Sequence, residues 1–149
     1  MPELGLRDQF GQSRDFAGLC GPAGLLLVFV PFAFSPICSD EVGDLDGVAP
    51  SWMEEGVGVA VASCDSTFVW RAQADSRGWS LPLLSDFWPH GAVSQAYGVL
   101  DPARGAPRRS SYAIDPSGTV RWSLHHGAGQ PRSVAQHREG AASLGVPLS

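Results

Sequence analysis

The chain has 149 residues and a net charge of −5, and all ten of its basic residues are arginine. That length suits a single domain spanning residues 1–149, able to bury roughly two-thirds of its unfolded surface. The acidic balance argues against nucleic acid or an anionic membrane surface as a partner. Its strongest apolar run, Leu25 to Val30, is too short to cross a bilayer. Arg7, Asp8, Arg14 and Asp15 leave no signal-peptide pattern in the first 24 residues. Three cysteines, an odd number without a targeting segment, then predict a reducing cytoplasm rather than a disulfide framework.

In chain order, Asp15–Gly24 reads as a Gly-rich loop holding Cys20, a loop thiol with no basic or helix-terminal surroundings. Leu25 to Val30 reads as a strand buried on both faces, ended by Pro31, which cannot donate to a sheet ladder. After the loop Phe32 to Pro36, the spacing predicts a helix opening at Ile37-Cys38-Ser39-Asp40-Glu41, with Ser35 as N-cap and Pro36 at the first helical position. It should run to about Val48, with Val42 and Leu45 inward and Asp44 and Asp46 facing water. Gly43 and Gly47 weaken it by ~1 kcal/mol each relative to alanine. Pro50 lies beyond its expected end, and a second short helical piece would hold Trp52 and Met53.

Val57–Ser63 is a second continuous apolar strand, parallel to the first if the helix between them is a right-handed crossover. Cys64 and Asp65 follow at its C-terminal end, on the same edge of the sheet as Cys38. A helix over Ser66–Gly78, capped by Ser66, would bury Val69, Trp70 and Ala74. Leu81–Leu84 reads as a short strand, and Gly91–Tyr97 as a helical turn closed by Gly98. Ser111–Asp115 and Thr119–Leu124 flank Pro116-Ser117-Gly118 and read as a β-hairpin. His125–Pro131 is a loose, Gly-rich approach to a last helix over Arg132–Leu144, which Gly140 interrupts. Strand, helix, strand, helix and strand, then a hairpin and a helix, predict an α/β, thioredoxin-like fold: a central mixed sheet flanked by helices.

The segment Pro31-x-x-x-Ser35-x-x-Cys38, with Glu41 three residues on, resembles the signature of peroxiredoxins. Leu81–Asp101 is similar to the matching segment of the one-cysteine alkyl hydroperoxide reductase E group, and Arg109 falls where that group keeps an active-site arginine. The resemblance runs from about Leu6 to Asp115 and more loosely through Leu144. Met1–Gln12 resembles the end of the family's N-terminal hairpin, with DQFGQ as its turn. The usual leading segment is missing, so the expected hairpin is shortened.

The resemblance implies a thiol-dependent peroxidase acting on hydrogen peroxide, organic hydroperoxides or peroxynitrite. Cys38 would attack the peroxide O–O bond and become a sulfenic acid. A low-molecular-weight thiol, or a glutaredoxin-like or mycoredoxin-like protein, would recycle it, and neither a metal nor another cofactor is called for. The free N–H groups and dipole of a helix start favour a thiolate at such a position. Yet lowering a thiol pKa from about 8.5 to about 6 raises the thiolate at pH 7 only about 30-fold. The lost nucleophilicity returns about tenfold of that. Most of a peroxidase rate must then come from donors aimed at the peroxide oxygens. The resemblance puts the Ser35 hydroxyl, the Cys38 N–H and the Arg109 guanidinium there, with Glu41 orienting Arg109 and Pro31 shielding the thiolate. Arg108, the neighbour in sequence, should point to the opposite face by strand alternation.

Weaker candidates are His125-His126, adjacent histidines that read as solvated in their loop, and Trp88-Pro89-His90, which reads as a contact surface. Related peroxiredoxins form dimers through such loops, so a homodimer is expected. C-x-x-C disulfide exchange fails for lack of a second cysteine at that spacing. The same holds for a resolving cysteine five residues after Cys38, where Gly43 stands. Cys64 is the one resolving candidate, and local unwinding would be needed first; the expected state is a packed thiol. A peroxide sensor or binding protein, oxidised but not turned over, shares the first step and stays open as an alternative.

Overall fold

In the computed structural model, described over residues 2–127 and 129–148, a seven-stranded mixed sheet runs through the molecule. Met1, at the head of the segment read as a hairpin end, lies outside the described residues. The hairpin itself is present: β1 (Leu6–Arg7) pairs antiparallel with β2 (Ser13–Arg14) across the DQFGQ turn, closed by Asp8 N–H to Gln12 O at 2.9 Å. A four-residue helix, α1 (Phe16–Leu19), interrupts the stretch read as a loop, because the Asp15 carboxylate caps it by accepting from Gly18 N–H.

The central strands are β3 (Gly24–Phe29) and β4 (Val57–Ser63), which pair in parallel. Every residue of both is buried, as continuous apolar runs require. Alternation splits them between two cores. Leu26, Val28, Val59 and Val61 face one, and Leu25, Leu27, Phe29, Ala60 and Ala62 face the other. On one side of β4 and β3 lie β5 (Leu83–Ser85) and then the hairpin; on the other lie β8 (Arg109–Ile114) and β9 (Val120–His126). A separate two-stranded ribbon, β6 (Leu100–Asp101) with β7 (Ala106–Pro107), has no counterpart in the sequence reading. The fold is the expected α/β arrangement.

Several boundaries differ, each for a physical reason. The long helix α2 (Pro36–Glu54) does not stop near Val48 but passes through Pro50 as one element. An internal proline costs about 3 kcal/mol, and the far turn recovers a comparable amount by burying Trp52 completely. Asp46, expected in water, instead accepts from Ser80 and Leu81 N–H at 2.8 and 3.0 Å and ties α2 to the approach of β5. This leaves β5 starting at Leu83 rather than Leu81. The helix α3 (Thr67–Arg77) is capped by Ser66 as expected and ends on Gly78 in the left-handed region, φ 74°. Of its expected inward residues, Trp70 and Ala74 are buried and Val69 is half-buried. The short helix α4 (Ala92–Ala96) starts one residue after Gly91.

The last hairpin is longer than expected on both sides, so His125 and His126 stand on β9 opposite Ser110 and Arg109, not in a loop. The final helix, α5 (Val134–Ala142), starts at a capping box between Ser133 and Gln136, leaving Arg132 outside it. Gly140 does not interrupt α5. A Cβ built there would lie 2.3 Å from Trp122 Cε3, so the missing side chain is what lets the helix seat on β9. Gly140→Ala should therefore destabilise the protein by about 1–3 kcal/mol, despite alanine's better helix propensity. Thermal unfolding would read this as a drop of several degrees; an unchanged or raised Tm would mean the Trp122 ring can move aside.

Candidate active site

β3 ends beneath Pro31, and the chain turns through Phe32–Ser35 into the first turn of α2. The turn is pinned at one residue. Ala33 N–H donates to Asp65 Oδ2 at 2.8 Å, and the Ala33 carbonyl accepts from Gln73 Nε2 at 3.2 Å and Ser39 Oγ at 3.4 Å. Asp65 follows β4 and Gln73 belongs to α3, so both neighbouring elements hold the loop. Ser35 occupies the N-cap position, with Pro36 after it, but its side chain makes no capping hydrogen bond. Its carbonyl accepts from Ser39 N–H at 2.8 Å, and the hydroxyl is left without a partner among the described residues. Ser35 thus stands at the N-cap position that the sequence predicts, but its hydroxyl does not cap the helix.

Cys38 is fully buried in the core with Leu26, Val28 and Val42. Arg109, at the first position of β8, donates from Nη2 to Cys38 Sγ at 3.3 Å and from Nη1 to Glu41 Oε1. Arg108 points the other way: it is exposed and donates to the Leu100 carbonyl at 3.1 Å. Strand alternation thus separates the two arginines. Pro31 is buried and forms one wall of a cavity of about 170 Å³, with Asp101, Arg104, Arg108 and His126 in the others. The Arg104 guanidinium lies 5.3 Å from the centroid of the Phe32 ring and joins the β6–β7 ribbon to the loop.

The group that sequence reasoning missed is Arg132. It stands just before α5, is 3% exposed, and closes on Glu41 with its backbone N–H and Nε to Oε2 (2.7 and 2.8 Å) and Nη2 to Oε1 (3.1 Å). The same Nη2 reaches the Phe29 carbonyl at 2.9 Å, and Nη1 reaches Ser111 Oγ at 2.9 Å. No local motif marks this role, since 91 residues separate Arg132 from Glu41. Burial by itself would raise the Glu41 carboxyl. The hydrogen bonds and charge of Arg132, and the charge of Arg109, outweigh it and hold the carboxyl below the usual range. One carboxylate thus faces two buried guanidiniums, and the unmatched positive charge lies beside Sγ.

Cys64 sits elsewhere. Burial, and after it the charge of Asp86, push its thiol up to about 11, while Ser94 hydrogen bonding works the other way. Those neighbours belong to the α4 region, whose Val93 packs on the core opposite to that of Cys38. The sheet therefore stands between the two sulfurs. Cys20, at the end of α1, donates to the Gly21 carbonyl at 3.2 Å. His125 Nδ1 pairs with Ser110 Oγ at 2.8 Å, and His126 Nδ1 lies 3.3 Å from the Gln130 carbonyl, so neither is simply solvated. Among the described residues no group of three His, Cys, Asp or Glu is placed to hold a metal ion. Trp88 is 82% exposed.

Replacing Arg132 with methionine should leave Glu41 as a buried, half-compensated charge and cost about 3–5 kcal/mol near pH 7. The folded carboxyl of the parent chain is depressed, so its stabilising contribution is present above the unfolded pKa and fades as pH falls. In the variant that carboxyl rises instead. The stability gap between the two proteins should thus narrow between pH 7 and about pH 4.5. Urea unfolding at both pH values measures it, and a gap independent of pH would contradict this account of Glu41.

A model of the AhpC/TSA family matches residues 1–123. The alkyl hydroperoxide reductase E of Mycobacterium tuberculosis is 36% identical over 146 residues, covering 96% of this chain and 94% of that protein. Peroxiredoxin TSA1 of Saccharomyces cerevisiae is 32% identical over 65% of this chain and 52% of its own. Among solved structures, Enterococcus faecalis AhpC superposes with a TM-score of 0.85 at 26% identity, over 96% of this chain and 89% of that one. Peroxidoxin BcpB from Mycobacterium tuberculosis gives 0.80 at 26% identity, over 97% and 92%. On sequence and on backbone alike, the chain belongs to the AhpC/TSA family, the peroxiredoxins, which are thiol-dependent peroxidases.

Proposed function

We propose that Cys38 is the peroxide-reducing nucleophile of this chain and that a thiol from outside the chain recycles it. The observation that carries the reading is the Arg109 guanidinium, 3.3 Å from the Cys38 sulfur at the start of α2. Cys38 thiolate attacks the terminal peroxide oxygen. An S–O bond forms, the O–O bond breaks with both its electrons going to the leaving oxygen, and that oxygen departs as nitrite from peroxynitrite or, taking up the proton that Cys38 gave to solvent on ionising, as water or an alcohol. Arg109 and the Cys38 N–H meet the negative charge growing on the oxygens. The Ser35 hydroxyl, with no partner of its own, orients the peroxide. Glu41 holds Arg109 in line, and Pro31 keeps water from the sulfur. The sulfenic acid then condenses with one external thiol to a mixed disulfide, releasing water, and a second thiol regenerates Cys38. Hydrogen peroxide, organic hydroperoxides and peroxynitrite are the substrate class, and a small thiol or a glutaredoxin-like or mycoredoxin-like protein is the reductant.

Residues 1–149 work as one redoxin domain, a reading supported by a single large sheet with a core on each face. A homodimer is supported by exposed Phe68, Phe87 and Trp88, which border a groove of about 870 Å³. A cytoplasmic setting is supported by three unpaired cysteines. No described helix is long and apolar enough to cross a membrane.

Stopped-flow oxidation with hydrogen peroxide and with an organic hydroperoxide tests the reading. Cys38→Ser should abolish turnover while the fold remains, and retained turnover would end the assignment. Arg109→Ala should slow oxidation by more than any loss of thiolate explains. A rate fully restored by raising the pH until Cys38 is ionised would reduce Arg109 to an effect on ionisation. A separate measurement addresses recycling. After one equivalent of peroxide with dimedone present, mass spectrometry should find Cys38 labelled once, and Cys64→Ser should turn over normally. A stoichiometric Cys38–Cys64 disulfide would show that the chain resolves itself.

A further inference from the structure

Behind Glu41 and Arg132 the polar contacts continue through two residues that the reaction above does not use, Ser111 on β8 and His137 on α5. Both are buried, at 0% and 1% exposure. Ser111 Oγ lies 2.9 Å from Arg132 Nη1 and 2.8 Å from His137 Nε2, and has no other partner among the described residues. An arginine only donates, and a hydroxyl has one hydrogen to give. With a proton on His137 Nε2, Ser111 Oγ would receive two donors and bury its own hydrogen without an acceptor, which is costly. With Nε2 bare, that hydrogen goes to the imidazole and the oxygen lone pairs serve Arg132. Ser111, Arg132 Nη1 and His137 Nε2 are then all paired, while Nδ1, which is not among the fully enclosed orphan atoms, can carry the ring proton at lower cost; this favours the Nδ1–H tautomer.

The surrounding charges agree. Burial, and then the Arg132 guanidinium, push the imidazole down to about 3; Glu41 acts upward and His126 on β9 downward. The ring stays uncharged across the working range of pH.

We infer that His137 is a positioning residue for the Cys38 site: as a neutral Nδ1–H imidazole it accepts the Ser111 hydroxyl proton, aims the Ser111 oxygen at Arg132 and so holds the guanidinium that fixes Glu41 and Arg109. The inference rests on the peroxidase reading. Arg132 already serves Glu41 and Phe29 through Nε and Nη2. Its Nη1 depends on Ser111, so a Ser111 oxygen that turns away leaves a buried N–H unpaired. The fork then has reason to rotate, and Glu41 moves with it. The docking of α5 is in this way transmitted to the sulfur, although α5 touches no reacting atom.

Two measurements on the full chain test this. Long-range nitrogen–proton NMR of the imidazoles should show His137 with Nδ1 protonated and Nε2 bare, unchanged from pH 8 to about pH 5. The opposite tautomer, or titration near ~6.5, would overturn the inference without touching the peroxidase reading. Stopped-flow oxidation, at a pH that fully ionises Cys38, then compares variants. Ser111→Ala and His137→Leu should each slow the reaction about tenfold, and the double variant no more than either alone, because both break one chain. His137→Gln, whose carboxamide oxygen can accept, should return to within about threefold of the parent. Additive losses, a folded His137→Leu at the parent rate, or Gln no better than Leu would each refute the role. Should His137→Leu not fold, Ser111→Ala alone decides, since it removes only a hydroxyl, and a parent-like rate there counts against the chain. A parent protein that peroxide fails to oxidise would instead bring down the peroxidase reading, and this role with it.

Discussion

A carboxylate buried at 3% exposure on α2 is the constraint on which the active edge depends. Glu41 out of water would cost several kcal/mol without partners. It is met by four N–H donors, one from Arg109 and three from Arg132, which exhaust its lone pairs in the directions available. Those donors come from β8 and from the entry to α5, so satisfying one charge joins three distant parts of the chain. Arginine suits the task better than lysine because its planar fork binds a carboxylate with one edge and leaves other N–H groups free. Arg109 uses that freedom toward Cys38 and Arg132 uses it toward Phe29 and Ser111.

The charge count then bears on chemistry. Two guanidiniums and one carboxylate leave a positive excess in a region with little water to screen it. Negative charge moving onto the peroxide oxygens is, on the proposed reading, the change that such an excess favours. On the proposed reading the protein need not reorganise as the charge moves, because Arg109 is already fixed. The loop before Cys38 is equally fixed, by both polar groups of Ala33. The sheet keeps the second buried thiol apart, since Cys64 lies among Asp86 and Ser94 rather than beside Cys38.

Where sequence and structure part, tertiary packing overrode a local signal. Pro50 reads as a stop, yet burial of Trp52 carries α2 through it. Gly140 reads as a break, yet it is a contact surface for the Trp122 ring. His125 and His126 read as loop residues because Gly127 and Gly129 follow them, while pairing with Ser110 and Arg109 extends β9 to include them. Ser35 reads as a cap, but the hydroxyl is left free of the helix.

The amino-acid sequence by itself determined the order of the main strands and helices, though not α1 or the β6–β7 ribbon, the two-sided burial of β3 and β4, and the position of Cys38 in the first turn after a strand. These follow from local rules: continuous apolar runs, proline that cannot donate, and glycine at left-handed turns. It also separated Arg109 from Arg108, because alternation on a strand is local too. Only the tertiary structure decided which cation would neutralise Glu41 and what stands behind it. Arg132, Ser111 and His137 carry no signature of their own, and 91 residues lie between Arg132 and its carboxylate. Their roles exist only because a buried charge must find every partner in three dimensions, and chain order does not say who the neighbours will be.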